Sequence, residues 1–301
     1  MWWVGAAFIS AMLLGCYDVA KKRSLAGNAV IPVLWINTLV CSLLFLPVIL
    51  NAELELGWFA GSHFQSVRGT LNEHLLVVLK AAITLSSWLM GYYAIKHLPL
   101  TIVGPVNATR PVMVLVGATL LFGERLNIWQ WGGVLITIAS LYLLSRAGRK
   151  ESISFRHNRH VWALFAAMML GAVSGLYDKY IIATHDLEPI FVQSWFGVYQ
   201  LMMMTLIAFV IWYPRRDAEP LSWRWTIPLI SIFVSVADLF YYHALADEGA
   251  MIAVVSMIRR SSVVVTFVAG ALLFRERNLR SKAIDMVLII VGMVLLAIGS
   301  N

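Results

Sequence analysis

The stretch LLFGER at residues 120–125 occurs again, with one change, as LLFRER at residues 272–277. Three further matches keep the same order along the chain: GCYD and GLYD at 15–18 and 175–178, Pro32 and Pro189, and the tyrosine pairs at 92–93 and 241–242. Matches in a fixed order are the signature of an internal duplication. We therefore predict two related halves, residues 1–147 and 161–301, joined by a basic linker at 148–160.

The composition indicates a membrane protein. Apolar residues make up 60% of the 301 residues and charged residues 13%, against about 25% charged in a typical soluble domain. A helix needs roughly 20 apolar residues to cross a hydrocarbon layer about 30 Å thick. The apolar blocks predict ten such spans, at 2–20, 31–50, 75–96, 101–122, 128–145, 161–183, 189–213, 226–246, 250–274 and 281–299.

Each half contains five predicted spans, which is an odd number, so the second half enters the membrane upside down. The predicted fold is an all-α integral membrane protein with ten transmembrane helices, arranged as two inverted five-helix repeats. Many secondary transporters are built in this way.

The net charge of +7 indicates how the chain is oriented in the membrane rather than nucleic-acid binding, because the basic residues lie in short loops between the predicted spans. Sixteen lysines and arginines fall on one predicted face, and three, Arg68, Lys80 and Arg125, fall on the other. The positive-inside rule places the basic face in the cytoplasm. We expect a bacterial inner membrane protein with both termini extracytoplasmic.

The repeated Glu-Arg turns that close spans 4 and 9, together with two five-helix halves, resemble the EamA-like branch of the drug/metabolite transporter superfamily. The resemblance covers essentially the whole chain. It implies a carrier of small metabolites rather than an enzyme.

The charged residues within the predicted spans include Asp18, Arg110, Asp178, Lys179, Asp238, Arg259 and Arg260. A charge at the centre of a transmembrane helix costs about 2.5–3.5 kcal/mol on insertion scales, so such residues face a shared interior.

The arginines predict an anion-binding site. Arg110 lies midway along span 4, and Arg259 and Arg260 lie near the middle of the equivalent span 9. A guanidinium group offers a planar fork of donors that suits carboxylate or phosphate oxygens. Asn107 and Ser256, each three residues before an arginine, share its helix face.

The alternative is that these arginines form structural ion pairs with the three aspartates. Asp18 has Lys21 and Lys22 nearby in sequence, and Asp178 has Lys179 beside it. Asp238 alone then remains for three arginines, and an anionic substrate would correct that imbalance. Asp18, Asp178 and Lys179 become candidates for coupling or gating.

One basic residue in span 4 and a basic pair in span 9 are similar to the arrangement in triose-phosphate/phosphate translocators. That resemblance implies that Arg110, Arg259 and Arg260 hold a substrate phosphate, with Tyr241 or Tyr242 nearby. Tyr93, in the equivalent tyrosine pair, is a further candidate for the cavity lining. Asp238 has no acidic counterpart in the first half, which suits a role in binding a cationic group or carrying a proton.

These features predict a secondary active transporter of a small organic anion that bears a phosphate, phosphonate or carboxylate group. A counter-substrate or a proton would be the coupled partner, and no cofactor, metal or catalytic residue is expected. The alternatives are an exporter of amino acids or other zwitterionic metabolites, and, outside transport, a membrane-embedded lipid-phosphate enzyme or a scramblase. The sequence leaves open whether the protein is a monomer or a homodimer.

Overall fold

The fold is an all-helical bundle, as the apolar blocks predict. The computed structural model describes residues 2–59, 61–62, 64–110, 112–113, 127–149, 155–185, 187–217, 221–245, 258–274 and 279–300. These residues form no strand, and their α-helices are α1 (Trp2–Leu25), α2 (Val30–Glu53), α3 (Leu71–His97), α4 (Leu100–Ala108), α5 (Ile128–Arg149), α6 (Arg159–His185), α7 (Pro189–Ile207), α8 (Thr226–Leu245), α9 (Ser262–Leu272) and α10 (Leu279–Ser300). Helix α7 continues through a π-helical turn, Ala208–Trp212, and a 3-10 turn, Tyr213–Arg215.

The surface of the bundle suits a lipid environment. Within the described residues, five helices are long and apolar enough to cross a membrane, namely α1, α2, α3, α6 and α7 with its continuation, and α5 and α8 contain shorter apolar segments. Large apolar side chains such as Phe8, Leu43, Leu135 and Phe209 are exposed. A surface this apolar is abnormal for a soluble monomer, so the chain is an integral membrane protein.

The two halves pack together in a pattern with two-fold symmetry. Helix α1 packs on α8, and its equivalent α6 packs on α3, the equivalent of α8. Three further contacts join a helix to its own equivalent: α2 to α7, α4 to α9 and α5 to α10. Exchanging the halves reproduces these contacts, as expected for a duplicated fold.

Glycines allow α9 to lie close to both α1 and α4. A methyl group on Gly15 of α1 would clash with Val265, and one on Gly104 of α4 would lie 3.1 Å from Val263. Small residues let membrane helices approach closely. Gly175, the repeat equivalent of Gly15, has no such neighbour within 4 Å among the residues that the structure describes.

Helices α4 and α9 are each interrupted beside an arginine, which the predicted spans did not anticipate. Thr109 is in a turn that follows α4, and Ser261 is in a turn that precedes α9. The Thr109 hydroxyl donates to the carbonyl of Val106 (2.7 Å), and the Ser261 hydroxyl donates to the carbonyl of Ile258 (2.6 Å). Such back-bonding competes with the helix ladder.

The two interruptions occupy equivalent positions. Thr109 and Ser261 are separated by 152 residues, the same displacement as the two Glu-Arg turns. Those turns themselves, at 124–125 and 276–277, lie outside the described residues.

Candidate functional site

The structure brings the three predicted arginines together. Arg110 directly follows the turn at Thr109, and Arg259 and Arg260 directly precede the turn at Ser261. The charge of Arg260 lies within electrostatic range of the charges of Arg110 and Arg259. Three like charges held this close in a membrane protein favour a negative partner.

Arg110 is half-buried, and its Nε is a buried donor. Its guanidinium lies against Gly171 of α6, where a Cβ would be 2.5 Å from Cζ and 2.6 Å from Nη2. Within the described part of the chain, Nε has no hydrogen-bond partner. An unsatisfied buried donor costs about 1–3 kcal/mol, and more when it is charged, so this donor is poised for a ligand or a water molecule.

Arg259 forms a structural ion pair, as the alternative interpretation predicts for the arginines as a group. Its guanidinium donates to the carboxylate of Asp238 on α8. Its guanidinium carbon also lies 4.1 Å from the centroid of the Tyr241 ring. Among the described residues, neither Arg110 nor Arg260 forms an ion pair.

Asp18 pairs with a lysine of its own helix, as its spacing predicts. The Lys21 ammonium lies 3.0 Å from the Asp18 carboxylate. The same ammonium lies 4.1 Å from the ring centroid of Tyr17 and 5.0 Å from that of Tyr92. Lys22 has a different role, because its Nζ donates to carbonyls at the end of α3, those of Ile95 (2.7 Å) and Leu98 (2.5 Å).

Asp178 pairs with Lys80 of α3, which the sequence did not predict. The charge count assigned Lys80 to the face opposite the basic one, where it would be exposed, but the structure buries it. Lys80 is 6% exposed and lies inside α3, where its ammonium is held by a carboxylate from the other half.

A small cavity of about 20 Å³ lies between α2, α3, α7 and α8, with room for about one water molecule. Its polar lining comes from Cys41, Gln193, Gln200, Ser235 and Asp238. Because Asp238 also holds Arg259, this cavity adjoins the arginine group. Gln200 is 1% exposed, and its Nε2 has no hydrogen-bond partner in the part of the chain described.

The structure separates the two members of the first tyrosine pair. Tyr92 is buried beside Lys21. Tyr93, the predicted member, instead packs against His97 and His160, with ring centroids 4.9 and 5.0 Å away.

The remaining predicted residues are placed as follows. Asn107 is half-buried on α4. Ser256 lies outside the described residues, as do the side chains of Tyr242 and Lys179.

Sequence reasoning missed several buried polar groups that surround this site or lie near it. Lys80 falls within the predicted span 75–96, so its position in an apolar block was an available signal. Lys282 and Asp285 likewise fall within the last predicted span, and both are buried. Lys282 donates to the hydroxyl of Thr101 (2.8 Å). No sequence pattern marks Gly171 as the surface on which Arg110 lies.

Comparisons with known proteins indicate that the chain is related to transport proteins. The profile of the EamA-like transporter family matches residues 1–146 and again residues 159–298. A curated relative, the "Uncharacterized transporter YxxF" of Bacillus subtilis (strain 168), is 23% identical over 202 residues. The match covers 65% of this chain and 62% of that relative, which is less than two thirds of its length.

Solved structures share the fold. One of them, described as "Crystal structure of protein", has a TM-score of 0.62 at 16% sequence identity. The match covers 97% of this chain and 96% of that one. At this identity the likeness concerns the fold alone. Similarity to triose-phosphate translocators does not appear in these comparisons.

Proposed function

The chain belongs to the EamA-like transporter family, and on this basis we propose that it is a secondary transporter that moves a small organic anion across the membrane by alternating access. The anion bears a phosphate, phosphonate or carboxylate group, which Arg110 and Arg260 bind together with Arg259. The observation that carries this proposal is the pairing pattern. In the described chain, Asp238 satisfies Arg259, while Arg110 and Arg260 have no carboxylate.

The interrupted helices support a single binding site. Discontinuous membrane helices at the interface of two inverted repeats commonly form the substrate site of transporters. In a ten-helix alternating bundle, α4 and α9 run in opposite directions. Arg110 follows one interruption and Arg259 and Arg260 precede the other, so in this arrangement all three arginines lie on the same side of the two interruptions.

A zwitterionic substrate is less consistent with the contacts. Such a substrate would need Asp238 for its amine, whereas Asp238 accepts from Arg259. The family and the name of the relative both point to transport rather than to a lipid-phosphate enzyme or a scramblase.

The proposed topology has ten spans, a cytoplasmic basic linker and both termini outside a bacterial inner membrane. Burial removes Lys80 from one side of the charge count and Lys21 and Lys282 from the other. The basic side keeps its excess, because exposed arginines such as Arg156 and Arg215 lie on that side. Coupling would use a counter-substrate or a proton, with Asp18, Asp178 and Lys179 as the gating candidates.

The test begins with a thermal-stability screen of the purified protein against phosphorylated, phosphonated and carboxylated metabolites. Stabilising compounds are then assayed for saturable uptake into proteoliposomes. Arg110→Ala and Arg260→Ala should abolish both effects, whereas Arg156→Ala, at an exposed linker position, should leave both unchanged. Stabilisation that survives the two interior substitutions would refute the assignment of the binding site. Asp238→Asn separates the substrate classes, because it should preserve anion binding and abolish binding of a zwitterion.

A further inference from the structure

An open groove of about 640 Å³ lies where α1 ends and α8 begins. It is lined by Arg23, Ala26, Arg224, Trp225 and Thr226. The volume falls within the range of about 300–1,000 Å³ that is usual for small-molecule sites. None of these residues belongs to the anion site described above.

Hydrogen bonds fasten the two sides of the groove to each other. The Asn28 side chain donates to the carbonyls of Ser24 and Ser222, both at 2.9 Å, and accepts from the Ser222 amide at 2.7 Å. The Ser24 hydroxyl donates to the hydroxyl of Thr226 at 2.7 Å. Because Asn28 and Ser24 are buried, these bonds fix the shape of the groove before a ligand binds.

Two arginines give the groove its positive charge. Nη1 of Arg224 donates to the carbonyl of Arg23 at 2.6 Å, which fixes the position of the Arg224 guanidinium. Arg23 itself is exposed. Among the described residues, neither side chain forms an ion pair with a carboxylate. Two guanidinium groups without a resident anion favour phosphate oxygens as acceptors.

Apolar side chains beside the groove indicate that its ligand is part of the membrane. Trp225 is 78% exposed and Trp223 57% exposed, and tryptophans of this kind mark the boundary between membrane and water. Leu229 and Ile232 are exposed further along α8, where their spacing of three residues places them on one helix face. An acyl chain can lie along this face while a phosphate contacts the arginines.

We propose that this groove binds an anionic phospholipid, whose phosphate accepts from Arg23 and Arg224 and whose acyl chain lies along Leu229 and Ile232. Basic pockets between membrane helices are a recurrent form of headgroup site. The two positive charges favour a lipid with a net negative charge over a zwitterionic one. Since α1 belongs to the first half and α8 to the second, the bound lipid stabilises a contact between the halves.

The experiment titrates lipids into the purified full-length protein in a neutral detergent and follows the melting temperature. Dioleoyl phosphatidylglycerol and dioleoyl phosphatidylcholine are compared, so that only the headgroup differs. We expect phosphatidylglycerol to reach half-maximal stabilisation at a concentration about tenfold lower, because each arginine near a membrane surface favours an anionic lipid by roughly fivefold. Inorganic phosphate serves as the soluble source of the same chemistry. Any stabilisation by inorganic phosphate should survive Arg23→Gln, because it arises at the anion site.

Charge variants locate the site. Arg23→Gln removes one donor and should raise the half-saturating concentration of phosphatidylglycerol about tenfold, the factor expected for one charge-assisted hydrogen bond. Arg23→Lys keeps the charge and should retain most of the response. Arg156→Gln removes the same charge from an exposed position in the linker and should leave the response unchanged.

The contrary outcomes are distinct. Equal half-saturating concentrations for the two lipids would overturn the recognition of charge, and equal losses in Arg23→Gln and Arg156→Gln would overturn a localised site. If stabilisation by inorganic phosphate also depends on Arg23, the groove binds a soluble anion instead of a lipid. Arg110→Ala should respond to phosphatidylglycerol as the parent protein does, so failure of this groove and failure of the proposed anion site can be told apart.

Discussion

Replacing Gly171 with alanine tests whether the position of Arg110 determines anion affinity. The added Cβ would lie 2.5 Å from Cζ and 2.6 Å from Nη2 of Arg110. Carbon atoms in contact settle at about 3.5–4.0 Å, so the guanidinium has to withdraw by roughly 1 Å. The end of an arginine side chain is flexible, so the protein should fold with a stability loss at the low end of the 1–3 kcal/mol that overpacking costs.

Anion binding should suffer much more than stability. Charge-assisted hydrogen bonds contribute about 1.5–3 kcal/mol each, and each 1.4 kcal/mol changes a dissociation constant tenfold. Loss of one bond from the displaced Arg110 therefore weakens binding by about 10- to 100-fold. The assay measures the concentration of the anion found by screening that gives half-maximal thermal stabilisation.

Gly175 provides a matched control on the same helix, one turn further along. No atom of the described chain lies within 4 Å of a Cβ placed there, and alanine has the higher helix propensity by about 1 kcal/mol. Gly175→Ala should keep the parental affinity and gain slight stability. If Gly171→Ala binds the anion as tightly as the parent protein while Arg110→Ala does not, the reasoning that this contact positions Arg110 is refuted.

Three further substitutions test the packing. Gly15→Ala should lower stability by about 1–3 kcal/mol because its methyl group meets α9. Gly5→Ala, whose methyl group meets no described residue within 4 Å, should not, and equal melting temperatures of the two variants would contradict the close approach. Lys80→Met leaves the Asp178 carboxylate unpaired and should cost about 1–3 kcal/mol, below the range for a fully buried pair because Asp178 is 36% exposed. The double variant Lys80→Met/Asp178→Leu should recover most of that loss, and additive losses would argue against the ion pair. Lys22→Met removes a charged donor from two carbonyls at the end of α3 and should lower the unfolding free energy by about 1–2 kcal/mol, while Lys22→Arg should lose less.

The broad architecture was predictable because it depends on composition and repetition. Long apolar blocks require helices in a membrane, and the duplicated motifs indicate two halves whatever the details of packing. The location of Arg110, Arg259 and Arg260 on equivalent helices followed from the same alignment.

The partners of the charged residues were not predictable in the same way. The pairing of Asp178 with Lys80 joins α6 to α3, and such a contact depends on which helices are neighbours. Which of Tyr92 and Tyr93 faces the interior depends on how α3 is rotated about its axis. The identity of two adjacent tyrosines does not indicate that rotation. The interruptions at Thr109 and Ser261 were hidden because a hydroxyl that bonds back to a carbonyl also occurs in continuous helices.

The close contact of Gly15 with α9 has a consequence for motion. A Cβ at position 15 would lie 2.4 Å from the Cβ of Val265, so α1 and α9 leave no room for even a methyl group between them. Helices that fit this closely are expected to travel together when the bundle rearranges, and any change in access to the interior should occur at other helix contacts.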